Sequence, residues 1–532
     1  MEVPQLIEAL SAPSAYPQPV ETVEVHQTHI SVVFLAGSLA YKIKKPVDLG
    51  FVSYRTLERR RHFCEEEVRL NRRLAPEIYL GVVAVTLQDG AIRMDGTGEV
   101  VEWAVKMKRL PDAATLRAHL ERGDAGVEAL EQLACRLARF HAAADSGDKV
   151  AAGGSLEAIS RNARENFEQS APQVGVTLSK STLDRLKVRT DAALAHRRSI
   201  IEDRALRGIP RDTHGDLRLD HVYWFPERNP PGDWIMVDCI EFDARFRYAD
   251  PVADVAFLAM ELTLLGRGDL AGSFVDAYLR ASGDEQGRSL LPFYKAYRAV
   301  VRAKVEGMKL AQDEIPEIQR NAAQTQSRAL WLFALAELED ACRRPCLVLL
   351  AGLPGTGKSS LARALAGPAG FAVIRSDEVR KELAGRYGPS SAPAAFGEDL
   401  YSPDWNERTY AECLRRAEEL IFEGKRVLID ASFREEARRR LFLEAACRWG
   451  ITGCLLLCRA EPDVIRDRLA SRRGDVSDAD GMIYEESTRR WDEPSPLTRK
   501  VTREIATDGS QAHSLTQALE VLQEFGLLGR EG

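Results

Sequence analysis

Apolar residues in the first 110 positions fall into short runs divided by turn residues: Ile30 to Leu35, Leu39 to Lys44, Leu80 to Leu87 and Glu99 to Lys108. Runs of this length, rich in β-branched and aromatic side chains, predict strands. From Leu116 onward the apolar spacing becomes helical, so a small β-rich lobe precedes a larger helical one. Ile315 to Arg344 reads as one helical connector, with apolar residues at Leu330, Leu332, Phe333, Leu335 and Leu338 and the basic pair Arg343-Arg344 at its end. Beyond it, the apolar runs Cys346 to Ala351, Phe371 to Ile374, Val427 to Ile429 and Cys454 to Leu457 alternate with helical stretches such as Glu407 to Phe422 and Arg434 to Arg448. Such alternation predicts a parallel sheet with helices on both faces. Gly147 to Ser155 and Glu227 to Asp233 read as loops, and no internal repeat is visible.

A chain of 532 residues exceeds one ordinary core. The pattern divides it into residues 1–340, with a small lobe to about 110 and a large lobe over 111–340, and residues 341–532. The net charge of -7 argues against a protein whose main work is coating nucleic acid. Nine cysteines are scattered without a C-x-x-C pair, several in apolar runs, and read as buried thiols of a reducing compartment. Met1 to Pro19 lacks a basic segment followed by an apolar core, and no run of about 18 apolar residues occurs, so the expectation is a cytoplasmic protein without membrane contact.

The chemistry is densest at Gly352-Leu353-Pro354-Gly355-Thr356-Gly357-Lys358-Ser359, which satisfies G-x-x-x-x-G-K-[ST] directly after the apolar run ending at Ala351. Gly352, Gly355 and Gly357 let the backbone curl so that N–H groups, including those around Thr356 and Ser360, face one anion. Lys358 adds a mobile positive charge and the Ser359 hydroxyl can ligate Mg²⁺. The expected guest is ATP or another nucleoside triphosphate. Downstream, Asp377 and Arg380 stand three apart after the second strand, on one face if a helix begins there, with Ser376 as its N-cap. A carboxylate beside a guanidinium suits a hydroxyl acceptor that carries or neighbours a negative group. Arg426 to Asp430 is an apolar strand ending in an acid, suited to magnesium opposite the loop. The series Arg466, Arg468, Arg472 and Arg473 has the composition of a lid that brings guanidinium groups over a transferring phosphoryl, with Arg468 and Arg472 on one helix side. Salt-bridged surface arginines are the alternative.

Residues from about 345 to 510 resemble the small P-loop kinases with an AAA-type ATP-binding domain, the group that holds gluconate kinases, polynucleotide 5′-hydroxyl kinases and zeta-toxin-like sugar-nucleotide kinases. Asp377-x-x-Arg380 resembles the acceptor-activating pair of the polynucleotide kinases, which would make Asp377, Arg380, Lys358, Arg468 and Arg472 catalytic, with Ser359 and Asp430 on the metal.

His214-Gly215-Asp216-Leu217-Arg218-Leu219-Asp220-His221, followed by the strand-like Trp234 to Val237 and Asp238, spaces two acids across a hairpin. With Lys42 and Lys44 on one strand face, and Glu66 and Glu67 ahead of Leu70 and Leu74, the first half resembles the aminoglycoside phosphotransferase branch of the protein-kinase-like fold. Val105 to Pro111 is similar to its hinge approach, and Leu133 to His141 to its long helix. The resemblance implies an α+β bilobal domain ahead of an α/β P-loop NTPase domain. It makes Asp216 the catalytic-loop aspartate, Asp238 a Mg²⁺ ligand, and Lys42 with Glu67 the phosphate-binding pair. Lys44, Glu66, Glu241 and Asp243 remain alternatives within those clusters. His221 stands where that family has a metal-binding asparagine, and imidazole is a poor Mg²⁺ ligand. Asp220 could replace it, one metal could suffice, or this half could bind nucleotide without efficient turnover. The expectation is a two-domain ATP-dependent phosphotransferase acting on a hydroxyl of a small molecule or nucleic-acid 5′ end. The alternative is an ATPase or GTPase switch whose first domain is a regulatory pseudokinase.

Overall fold

Alternating burial builds the first sheet. In the computed structural model, which describes residues 3–28, 30–48, 52–229, 232–312, 315–385, 402–471 and 481–529, the run Ser31–Ala36 buries Val32, Phe34 and Ala36, while Leu39–Lys44 buries Tyr41 and Ile43 in the same core. The strands of this sheet are β1 Val23–Gln27, β2 Ser31–Ala36, β3 Leu39–Lys44, β4 Tyr79–Gln88, β5 Ala91–Met94 and β6 Glu99–Lys108. They form one sheet of order β1-β2-β3-β6-β4-β5, antiparallel throughout. Helix Leu57–Asn71, capped where the Thr56 hydroxyl accepts from Arg59 N at 3.3 Å, packs against β4 and β6 and brings Glu67 beneath β3.

The chain divides into two compact units, Met1–Ile159 with Arg197–Tyr294, and Ser160–His196 with Lys295–Gly532. In the first unit, the helices Val127–Ala143, Val252–Leu264 and Gly268–Ser282 close a core through Leu133, Leu137, Leu258 and Phe274. Beside it, β7 Arg211–Asp212, β8 Val222–Phe225, β9 Asp233–Met236 and β10 Tyr248–Ala249 pair as β7 with β10 and as a β8–β9 hairpin, which sets the His214 to His221 segment between sheet and helices. This sheet and helical lobe form the α+β bilobal arrangement. Asp148–Gly153, expected as loop, is a helix. Its glycine answers to packing: a Cβ on Gly153 would lie 2.5 Å from the Tyr248 Cβ.

The second unit is built on parallel strands β11 Cys346–Ala351, β12 Phe371–Arg375, β13 Arg426–Asp430, β14 Thr452–Arg459 and β15 Thr502–Ala506, in the order β12-β13-β11-β14-β15. Every residue of the central strand β11 is buried. Val348 and Leu350 pack with Leu361, Leu365 and Leu522 of helices Lys358–Ala366 and Gln511–Glu524, while Leu347 and Leu349 pack with Cys413 and Phe442 of helices Pro403–Phe422 and Glu436–Arg448. A strand covered on both faces has no polar alternation to show, which is why the run is continuously apolar. The connector helix is shorter than the expected Ile315 to Arg344. It spans Glu317–Leu338 and stops before Glu339, whose buried carboxylate takes Arg185 at 2.6 Å and Arg189 at 2.5 Å.

All nine cysteines are free; Cys135, Cys342 and Cys447 are exposed and the rest buried. Among the described residues no helix is long and apolar enough to cross a membrane.

Candidate functional site

In the first unit, β3 delivers two lysines to one carboxylate. Lys42 Nζ lies 2.9 Å from Glu67 Oε1 and Lys44 Nζ 2.6 Å from Glu67 Oε2, with Glu67 fully buried. Lys42 also donates to Asp238 Oδ1 at 2.6 Å, and Lys44 to Glu241, which accepts from the Tyr54 hydroxyl at 2.8 Å. Both lysines are therefore used, a result their shared strand face left open. Glu66 points outward to Arg69 at 2.8 Å and Asp243 pairs with Arg245 at 2.7 Å, so neither joins the cluster.

Burial works against the charges of Glu67 and Asp238, but the lysines outweigh it and hold both carboxyls below their ordinary range; the same attractions hold Lys42 above its own. Asp238 sits in the left-handed region at φ +64°, its N–H donating to the Tyr79 hydroxyl at 3.2 Å.

The loop carrying Asp216 hangs from a buried acid. Asp254 accepts from the N–H groups of His214 at 2.7 Å and Gly215 at 3.0 Å, and pairs with His141 at 3.2 Å. Gly215 has φ +86°, and a Cβ there would press within 3.0 Å of the Phe246 carbonyl. His214 Nε2 donates to Val237 O at 3.0 Å, and burial pushes its imidazole pKa down to about 4, keeping it neutral. Asp254 escaped the sequence reading, though an aspartate inside the apolar run Val252 to Leu262 was a visible signal.

His221 lies between the two acids, 3.6 Å from Asp216 Oδ2 and 3.6 Å from Asp238 Oδ2, and its Nδ1 meets the Asp216 carbonyl at 2.8 Å. Asp220 is engaged by Arg117 at 2.5 Å and Arg218 at 3.1 Å, so it does not take over the role open at position 221. The donor set offers an oxygen-liganded cation Asp238, whose Oδ1 is already taken by Lys42, and does not fit a second cation held by residue 221.

The second unit gathers its candidates around one cavity of about 450 Å³. Its lining includes Gly355, Gly357, Lys358, Ser359, Ser360, Asp377, Arg380, Asp430 and Arg468. The loop needs its glycines: Gly352, Gly355 and Gly357 have φ of +144°, +80° and +84°, and a Cβ on Gly352 would fall 2.7 Å from the Cys458 carbonyl. Thr356 faces inward, its hydroxyl donating to Leu353 O at 2.7 Å, while its carbonyl accepts from the Thr507 hydroxyl at 2.7 Å. Lys358 Nζ lies across the loop on the Leu353 carbonyl at 2.8 Å.

Asp430 ends β13 almost buried and accepts from Arg375 Nε at 3.3 Å. Asp377 and Arg380 stand on helix Ser376–Leu383, whose N-cap is Arg375; Ser376 is the first helical residue and caps nothing. Arg380 Nη1 donates to Asn406 Oδ1 at 2.9 Å.

The arginine series separates. Arg468 Nη2 donates to Thr507 O at 2.5 Å, and its Nη1 is buried without a hydrogen-bond partner, 3.5 Å from where a Cβ on Gly357 would sit. Arg466 is two-thirds exposed and paired with Asp463 at 3.1 Å. Arg472 and Arg473 lie outside the described residues. A glycine cradle beside an orphaned buried guanidinium nitrogen fits a polyphosphate, and the oxygens of Ser359 and Asp430 fit Mg²⁺. Arg434 and Arg438, which also line the cavity, were missed: Arg434 was assigned to a helix that begins only at Glu436, and Arg438 stands on that helix among arginines that spacing does not tell apart.

The fold and site thus define a bilobal α+β unit and a P-loop unit. Residues 347–494 match the family model described as AAA domain. Over 502 residues the chain is 34% identical to the Mycobacterium tuberculosis protein Rv2004c (strain ATCC 25618 / H37Rv), covering 94% of this chain and 95% of that protein. The Mycobacterium bovis protein Mb2027c (strain ATCC BAA-935 / AF2122/97) matches with the same identity and coverage. The chain belongs to the family of these mycobacterial proteins. Among solved structures, a gluconokinase from Sinorhizobium meliloti 1021 aligns at 18% identity and TM-score 0.27, covering 35% of this chain and 95% of its own. The GDP complex of aminoglycoside 2′-phosphotransferase-IIIa aligns at 16% identity and TM-score 0.38, covering 59% and 94%.

Proposed function

We propose that the second unit is an ATP-dependent kinase that transfers the γ-phosphoryl group to a hydroxyl acceptor. The observation that carries this reading is the convergence of Lys358, Ser359, Asp430, Asp377, Arg380 and Arg468 on one cavity. The loop amides hold the phosphates, and Lys358 moves from the Leu353 carbonyl to the anion. Asp377 orients the acceptor hydroxyl and takes its proton as the oxygen bonds to the γ phosphorus and the bond to the β–γ bridging oxygen breaks, leaving ADP. Arg468 meets the charge that develops during transfer. Bound by Ser359 and Asp430, Mg²⁺ supplies charge neutralisation.

The test supplies γ-labelled ATP and Mg²⁺ with sugars, aminoglycosides, nucleosides and 5′-hydroxyl oligonucleotides. Label moving into one acceptor class is the expected result. Label released only as phosphate, at a rate no acceptor changes, would refute the kinase and favour a nucleotide-hydrolysing switch.

For the first unit we infer a nucleotide-binding regulatory role. Its support is His221 wedged between Asp216 and Asp238 and the direct Lys42–Asp238 pair, which leave a single candidate metal carboxylate engaged by a lysine.

A further inference from the structure

The cavity of the second unit carries positive charge on its acceptor side that phosphoryl transfer does not use. After Asp430 the chain turns through Ser432 and Phe433. Phe433 is fully buried yet has φ +45°, a conformation bulky residues rarely adopt and one that points to a functional turn.

The turn is stapled in place. Phe433 N donates to the Tyr410 hydroxyl at 3.2 Å, and its carbonyl accepts from Arg439 Nε at 2.7 Å. Arg439, itself buried, also donates to the carbonyls of Arg434 at 2.6 Å and Asp492 at 2.5 Å. The result is that Ser432 and Arg434, on either side of Phe433, both line the cavity.

Arg434 Nε is buried with no hydrogen-bond partner. Its Nη2 reaches Glu435 at 3.2 Å, but Glu435 also binds Arg438 at 2.8 Å, so one carboxylate serves two guanidinium groups. Arg438 meets the exposed Glu407 at 3.4 Å and lies over the Tyr410 ring at 4.5 Å. Arg380, which donates to Asn406, stands on the same wall, so among the described lining residues three guanidinium groups (Arg380, Arg434, Arg438) share it with Asp377 and Glu435, and Glu407 lies beside Arg438.

We propose that the acceptor is a small hydroxyl compound bearing a carboxylate or phosphate, whose anionic group is held by Arg434 and Arg438 while its hydroxyl faces Asp377. This rests on the kinase reading of the same cavity. A small molecule is favoured over a polynucleotide because about 450 Å³ must hold it beside the nucleotide phosphates, and a net charge of -7 repels a polyanion.

The test is calorimetric titration of the full chain, loaded with Mg²⁺ and a non-hydrolysable ATP analogue, with ribitol, ribonate, ribitol 5-phosphate and a 5′-hydroxyl oligonucleotide. At least one of the two small anions is expected to bind about 10-fold or more tighter than ribitol. Arg434→Gln should erase that advantage with the thermal midpoint unchanged, and Arg434→Lys should keep much of it. No advantage in the wild type, an equal advantage in Arg434→Gln, loss in Arg434→Lys as complete as in Arg434→Gln, or tightest binding of the oligonucleotide would each overturn the proposal. Label from γ-labelled ATP reaching only water, with the anionic advantage intact, would defeat the kinase reading and leave the anion site standing.

Discussion

Two clusters of charged side chains, one in each unit, are built on opposite plans. In the first unit, Lys42 and Lys44 meet Glu67, Asp238 and Glu241 directly, two cations against three carboxylates, so each charge has a partner of opposite sign within the protein. In the second, Arg434 and Arg468 keep buried nitrogens without partners at the wall of a cavity. The difference teaches what each cluster is for. Charges that satisfy one another fix a framework, and losing one should cost stability; guanidinium nitrogens left without partners at a cavity wall await a ligand, and losing one should cost activity.

The sharpest way to break this contrast is Glu67→Ala, which removes the carboxylate shared by both lysines, two charge-assisted contacts at once, and leaves Lys42 with Asp238 and Lys44 with Glu241. Unfolding of the first unit should become easier by about 3–5 kcal/mol, measured by denaturant titration. A loss below about 1 kcal/mol would mean that the cluster is not a framework.

A slightly smaller effect belongs to His214. Its folded pKa of about 4 lies below the ordinary 6.5, so the unfolded chain binds the extra proton first. The stability gained by keeping the ring neutral is complete above pH 6.5 and is lost as pH falls through the window down to 4, by about 3 kcal/mol in all. His214→Gln, which can still donate to Val237 O, should flatten this part of the stability profile.

In the second unit, Arg468→Ala should lower phosphoryl transfer by about 100-fold with little change in thermal midpoint. Arg466→Ala, two residues away but exposed, should change either quantity by less than about twofold or 0.5 kcal/mol. Equal effects from the two would show that the arginine series acts as a surface and not through one positioned side chain.

What the sequence disclosed follows from locality. The phosphate loop, β11 and the Asp377–Arg380 pair are contiguous, and their chemistry can be read from neighbours along the chain. The edge strands β1 and β15 went unread because each is exposed on one side and carries charged residues such as Glu24 and Glu504 instead of an apolar run. Lys42 and Lys44 could not be separated by spacing, since both stand on one face of β3; only the placement of Glu67 and Glu241 shows that each has its own partner. Arg434 was assigned to a helix because the pattern from 434 to 448 is helical. The left-handed turn at Phe433 that aims Arg434 into the cavity depends on Arg439 and Tyr410, whose bonds to it are tertiary.

The most direct test of the account runs wild type, Lys358→Ala and Asp216→Asn side by side with γ-labelled ATP, Mg²⁺ and the acceptor panel. The account expects Lys358→Ala to lose about 1,000-fold or more of the label transfer and Asp216→Asn to yield the wild-type product. Transfer that survives in Lys358→Ala and disappears in Asp216→Asn would place the chemistry in the first unit and contradict it.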